Sequence, residues 1–440
     1  MDSPTNRMVI TSVLVLDDAI DIATLRTLVQ ERFLGFPRFR QRVEETSAGP
    51  RWEMDPHFDL TQHVHRSALP GAAGQPELQE RVSELMSRPL DASTSLWDIE
   101  LIEDFQGGSA AIVRIHHCIA DGIALVQVLL SLTDEYFDPA RFPTLERNRS
   151  LVPGIVKAPF NAARSVATAG KHLLAEGVES VLNPSHLTTR AKQGLSLGAA
   201  LSKLALIDPD SDTLFKGVLS VAQRVTWSDA LDLQRVKAMG RALDAKVNDV
   251  LLGAVAGALR HYLQQHGAPT QGVTVRALIP VNLRSPEKAF ELGNRFGLVY
   301  ADLPVYLDKN VERVREVKRQ MDEIKASSEA IAAFGILEAL GYFPSDLEAK
   351  AVELFSSKAS AVMTNVPGPR ELLHMKGRPL QYIMPWVPRA GSIGLGVSIF
   401  SYNGTVRLGV ASDAHLIPDP ETILAGFQDM FDGLAERLAD

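Results

Sequence analysis

The stretch Ile112-Val113-Arg114-Ile115-His116-His117-Cys118-Ile119-Ala120-Asp121-Gly122 reads as a strand that turns into a helix. A mainly apolar run, Ala111 to Ile115, ends on two histidines, and Asp121-Gly122 follows four residues after the second. Beyond it, Ile123 to Leu132 carries Leu125, Val128, Leu129 and Leu132 at the i, i+3, i+4, i+7 spacing of one buried helical stripe. Imidazoles therefore sit at a strand tip, just ahead of a helix start.

Strand geometry limits what two adjacent histidines can do. Successive side chains point to opposite faces, so His116 and His117 are not expected to converge on one metal ion with a third ligand. The spacing suits one working imidazole beside a structural neighbour. A neutral histidine accepts a proton on one nitrogen while the other is oriented by a hydrogen bond, and its pKa lies near working pH. On the residues alone, His116 can be structural and Asp121 a plain helix cap.

The full His-His-x-x-x-Asp-Gly string resembles the signature of the CoA-dependent acyltransferase superfamily, which includes chloramphenicol acetyltransferase and peptide-synthetase condensation domains. Within it the chain resembles the bacterial wax ester synthase/diacylglycerol acyltransferase family. The same family order is followed by Asn6 to Met8, Pro37 to Arg42, the Leu96-Trp97 element with Ser95 in place of the family's proline, Asn248-Asp249, Pro280-Val281-Asn282-Leu283-Arg284, Gly293-Asn294 and Asn365-Val366-Pro367-Gly368-Pro369. The family has a further segment ahead of this N-terminus, so the resemblance leaves substrate range open.

Composition agrees with a large globular protein. The chain has 440 residues, 45% hydrophobic and 22% charged, so two domains are expected. A net charge of -8 offers no global basic field for nucleic acid. Cys118 is the only cysteine, which excludes an intrachain disulfide and agrees with a reducing cytoplasm. It reads as a small buried residue. Met1 to Met8 is too short and polar for a signal peptide, and no apolar run approaches the ~20 residues that span a bilayer. Any membrane contact is expected to be peripheral.

Residues 1–137 read as an N-terminal unit. Val9 to Leu16 is a predicted strand, Asp21 caps a helix, and Phe36 to Val43 is an Arg-rich edge, read as a solvated strand in preference to an anion site. Pro76 opens a helix bearing Leu78, Val82, Leu85 and Met86. The strand from Leu96 to Ile102 turns at Gln106-Gly107-Gly108-Ser109 into the one that ends at His117. Trp97 reads as core.

Residues 138–212 are broken by prolines 139, 143, 153, 159 and 184 and read as a helical linker. Within them, Ile155 to Leu182 repeats Lys157, Arg164 and Lys171 every seven residues, which fits either a helix on an anionic lipid surface or one docked between domains. Gly194-Leu195-Ser196-Leu197-Gly198 lacks the apolar strand that a nucleophile elbow needs, so it reads as a chance match.

Residues 213–440 read as a second unit. Val218 to Thr226 is a predicted strand, Ser228 a helix cap, and Val250 to Leu259 a helix apolar nearly all round. Strands follow over Val273 to Val281, from Gly293 to Tyr300 and over Ala359 to Thr364, with a charged helix over Val311 to Ser328. Tyr402-Asn403-Gly404 joins two more strands as a hairpin, and Thr422 to Leu438 closes the chain as a helix.

The resemblance implies an α/β (α+β) fold of two chloramphenicol-acetyltransferase-like domains, each a mixed sheet flanked by helices, with an active-site tunnel at their interface. It implies an O-acyltransferase of triacylglycerol or wax ester synthesis, with acyl-CoA and a fatty alcohol or diacylglycerol as partners and no metal or cofactor. His117 would be the general base, Asp121 would hold its loop by pairing with an arginine (Arg284 is the candidate), and His116 would be structural. Gly122 lets the backbone pass close to the site. Asn248, at a helix start, can face an oxyanion or simply cap. Two other readings stay open: a condensation-type enzyme taking its acyl group from a carrier to an amine or polyketide hydroxyl, and a non-catalytic lipid-binding homologue. The expected location is cytoplasmic, with peripheral contact to the inner membrane face or lipid inclusions.

Overall fold

A computed structural model describes residues 3–47, 49–137, 207–282, 292, 296–326, 353, 355–389 and 391–439. In chain order the first half contains β1 (Val9–Leu16), α1 (Ile22–Leu28), β2 (Gln41–Thr46), β3 (Gly49–Met54), β4 (Val64–Ser67), α2 (Gln75–Met86), β5 (Trp97–Phe105), β6 (Gly108–His116) and α3 (Gly122–Leu130). The second half contains β7 (Gln223–Trp227), β8 (Leu231–Asp232), α4 (Leu233–Ala242), α5 (Val247–Gln265), β9 (Val275–Asn282), β10 (Phe296–Leu303), α6 (Asn310–Ala326), β11 (Ala361–Pro367), β12 (His374–Met375), β13 (Arg378–Trp386), β14 (Leu395–Tyr402), β15 (Thr405–Asp413) and α7 (Glu421–Ala439).

Two mixed sheets organise these elements. The first has the order β12-β13-β1-β6-β5-β4; the second runs β10-β9-β11-β14-β15-β7, with β8 also on β15. Alternation fixes which face each residue serves. On β1 and β6, Leu14 and Ala111 pack with α1 and α3, while their neighbours Val13 and Ile112 pack with α2 and with Trp227 of the second sheet. The expected stripe of α3 is buried as Leu125, Val128, Leu129 and Leu132. The second sheet carries α5 on one face, flanked by α6 and α7. Their close approach depends on glycines of α5: a Cβ at Gly257 would stand 2.6 Å from Met430 Cγ.

The sheets do not follow the chain's halves. β12 and β13 lie late in the sequence yet complete the first sheet, and β13 pairs antiparallel with β1 from Thr11↔Trp386 to Leu16↔Leu380. This strand exchange ties the two units together.

Several elements fall where the sequence puts them, including β1, the Asp21 cap, the buried helix α5 and the Asn403-Gly404 turn, whose φ values of 45° and 76° fit a tight hairpin. Others differ. Pro37–Arg40 forms one 3-10 turn around buried Phe39, and strand begins only at Gln41. β7 starts at Gln223, and Val218 is 85% exposed. Ser228 does not cap a helix. Its N–H donates to Leu408 O and its Oγ accepts Leu408 N–H, extending the sheet, so α4 begins later with Asp232 as its cap. The amphipathic stretch 155–182, Ser196 and Arg284 lie outside the described residues.

Candidate active site at the tip of β6

The loop after β6 is held from several sides. His116 N–H donates to Leu96 O at 2.9 Å and His117 N–H to Met8 O at 2.7 Å, so the strands on either side of β6 fix both histidines by their backbones. His116 Nδ1 accepts Cys118 N–H at 3.2 Å, and Ile119 N–H donates to His116 O. That contact makes the other ring nitrogen the protonated one in neutral His116, and it occupies His116 within the turn. His117 is half-buried, and its ring meets Phe296, the first residue of β10, edge-on with centroids 5.7 Å apart. The His117 imidazole thus stands where the first sheet meets the second.

Asp121 is 4% exposed and starts α3. Its Oδ1 accepts Ala124 N–H at 2.9 Å and its carbonyl accepts Leu125 N–H. A buried carboxylate is thereby satisfied by a helix N-terminus, where a negative charge is favoured. Gly122 is not forced by the chain's own packing: its φ is not left-handed, and an added Cβ would meet Val387 Cγ1 at an ordinary 3.7 Å. Cys118 corrects the sequence reading. It is exposed, because it sits in the turn beyond the strand, where the alternation that buries Ile115 no longer holds.

Residues not singled out as site residues support the loop. Arg114, two positions before His116, is 5% exposed. Its guanidinium forms a two-pronged ion pair with Asp98 and donates to Leu85 O and Arg88 O, tying β6 to β5 and to the end of α2. Trp97 is core as expected: 1% exposed, stacked on His63, with its indole N–H on Phe39 O at 2.8 Å. The role of the Leu96-Trp97 element is visible in its backbone, since Leu96 O holds His116.

In the second half, Asn248 lies in the first turn of α5, and its Oδ1 accepts Asn365 Nδ2 at 3.0 Å. Asp249 is fully buried and accepts Lys246 N–H at 2.9 Å, closing the helix start. Register separates this pair from His117. Ala361 and Met363 face α5, so Asn365 does too; Leu298 and Tyr300 pack on the opposite face, and Phe296 shares it. Asn365 and Phe296 therefore occupy one end of the second sheet but opposite faces. Among the described residues no group of three His, Cys, Asp or Glu that could hold a metal ion occurs, and no helix is long and apolar enough to cross a membrane.

Residues 1–251 match the family model described as the wax ester synthase/diacylglycerol acyltransferase catalytic domain, and residues 292–435 match the corresponding C-terminal domain. A Mycobacterium tuberculosis protein named a probable diacylglycerol O-acyltransferase is 29% identical over 416 residues, spanning 92% of this chain and 86% of that one. A second protein of that species, named for the same activity, is 30% identical over 409 residues, spanning 87% of this chain and 77% of its own. Of solved structures, the wax ester synthase/diacylglycerol acyltransferase from Marinobacter aquaeolei VT8 superposes with a TM-score of 0.69 at 20% identity, covering 100% of this chain and 97% of that one. The first condensation domain of the calcium-dependent antibiotic synthetase gives 0.60 at 16% identity, covering 99% and 93%. At such identities the structural likeness is one of fold: two chloramphenicol-acetyltransferase-like units, as expected from the sequence.

Proposed function

Because the chain belongs to the wax ester synthase/diacylglycerol acyltransferase family, we propose that it moves a long-chain acyl group from acyl-CoA to the hydroxyl of a fatty alcohol or diacylglycerol, with His117 as general base. The observation that carries this reading is the half-buried His117 ring at the junction of the sheets, its backbone clamped to Met8 and its loop closed by buried Asp121.

The bonds balance without a covalent enzyme intermediate. The acceptor oxygen attacks the thioester carbonyl while His117 takes its proton. The tetrahedral intermediate then collapses, the C–S bond breaks, and the imidazolium returns the proton to the departing CoA thiolate. A positioned base contributes about 10²–10⁴ in rate; holding acceptor and thioester together supplies much of the rest. The scheme calls for no metal or redox group. His116, engaged by Cys118, is the structural neighbour, and Asp121 acts on the loop. An oxyanion role for Asn248 is weakened by its bond to Asn365 and by the face it occupies, and a pairing of Asp121 with Arg284 stays part of the proposal. Access to water-insoluble acceptors suggests cytoplasmic protein resting on a membrane or lipid-inclusion surface, which co-sedimentation with anionic vesicles would test.

The test of function is one acyl-CoA offered with hexadecanol and dioleoylglycerol together, followed by separation of the neutral lipids. Wax ester, triacylglycerol or both is the expected product, cut by about 10²–10⁴-fold in His117→Ala. Thiol release with neither acceptor consumed would overturn this reading in favour of a condensation-type acceptor. Lipid binding with no transfer in either protein would leave a non-catalytic homologue.

A further inference from the structure

A second polar site lies a few residues from the loop. A cavity of ≈ 30 Å³ is lined on its polar side by Asn6, Arg7 and Thr11 from the first half and by Gln223 and Arg389 from the second, with apolar residues such as Val9 and Met86 completing its wall. That is room for more than one water, and the space is partly open, so a small tetrahedral oxyanion can enter it.

Three of its polar atoms, on Arg7, Thr11 and Gln223, lack hydrogen-bond partners. Thr11 is 0% exposed and its Oγ1 has no hydrogen bond; Arg7 Nε is likewise buried and unpaired. Arg389 is 9% exposed, and its Nη1 donates to Gly394 O at 2.8 Å. Burial pushes this guanidinium down to about 10, opposed in part by Asp413. That carboxylate is already engaged by Ser220 and by the N–H groups of His415 and Leu416. Gln223 Oε1 is also without a partner, but turning its amide over costs only a 3.5 Å contact to Val221 O and presents a donor. Two arginines on one side of a partly open space, neither ion-paired among the described residues, form a site short of negative charge.

We infer that this cavity binds a tetrahedral oxyanion of the phosphate class, held by Arg7, Arg389 and the Thr11 hydroxyl. Its place in the fold gives binding a consequence. Arg7 adjoins Met8, whose carbonyl holds His117 N–H. Val9, on the cavity wall, pairs with His116, and Val387, also on the wall, stands next to Gly122. An anion there crosslinks the two halves and stiffens the loop. The phosphate can be inorganic or a phosphoryl group of CoA.

The experiment is calorimetric titration of the full chain with sodium phosphate against sodium chloride at matched ionic strength, with thermal unfolding alongside. One saturable site per chain and a higher unfolding temperature are expected, with affinity about tenfold weaker in Thr11→Val and in Arg7→Gln. Displacement of phosphate by CoA assigns the anion to CoA; independent binding of both assigns it to free phosphate. No saturable binding by the wild-type protein above the chloride control overturns the proposal, whether or not the variants fold. Binding unchanged in both variants does the same. Phosphate binding here stands or falls separately from catalysis by His117.

Discussion

Both halves of the molecule bury an aspartate at a helix start, and they use it differently. In the first, Asp121 caps α3 and closes a short turn from β6, leaving His117 at the sheet junction. In the second, Asp249 closes the start of α5, and the neighbouring Asn248 is bound by Asn365 on the face away from His117. Under the proposed mechanism, the common strand-and-helix plan carries chemistry where the strand tip ends in the His117 imidazole. The second half meets that imidazole through Phe296.

The sharpest way to break this contrast is to remove one side chain from each half. His117→Ala should lower ester formation by about 10²–10⁴ with little change in unfolding temperature. Asn248→Ala should cost far less. Comparable losses in kcat from both would mean that the second helix start also takes part in the reaction.

Next comes the support of β6. Arg114→Met leaves Asp98 without its partner and frees the carbonyls of Leu85 and Arg88. Breaking a mostly buried pair of this kind costs about 3 kcal/mol, to be read from denaturant unfolding. A change within error would show that the pair does not hold the strand.

A smaller effect compares the two acids directly. Asp121→Ala should cost about 1 kcal/mol as a lost cap and also cut turnover, because the imidazole loses its pose; Asp121→Asn, which still caps, should recover much of the stability. Asp249→Ala should lower stability while kcat stays near wild type. If Asp121→Ala kept full turnover, the loop-holding role would be wrong.

The smallest effect lies in pH. His63 is buried between Phe58 and Trp97, and burial holds its pKa below the ordinary 6.5, opposed by its bond to Trp97 O. The unfolded chain therefore binds this proton more readily than the folded one. Stability is full above the unfolded pKa and declines as pH falls through 6.5 toward the lower folded value. His63→Phe keeps the stack and should flatten that part of the curve of unfolding temperature against pH; an unchanged slope would assign it to other groups.

Much of this was legible in the chain because the signals are local. The strand–turn–helix around His117, the Asp121 cap and the Asn403-Gly404 hairpin each depend on residues a few positions apart. What escaped depends on distant partners. Nothing near Phe296 announces that it faces His117, and nothing in Arg378 to Trp386 says that this strand pairs with β1. Cys118 reads as buried from its apolar neighbours in sequence, but those neighbours form a turn that leaves it exposed. Ser228 has the chemistry of a cap, but β15 claimed its hydroxyl first.

The loan of β13 to the first sheet has a practical outcome. A fragment ending at residue 137 would leave the length of β1 from Thr11 to Leu16 as an open edge, with Val13 and Val15 losing the part of their cover that Trp227, Tyr382, Met384 and Trp386 supply. Such a piece should aggregate rather than fold. Splitting this enzyme into working parts would require residues 374–386 to travel with the N-terminal piece, and even then the paired strands would reassemble the two parts more readily than keep them apart.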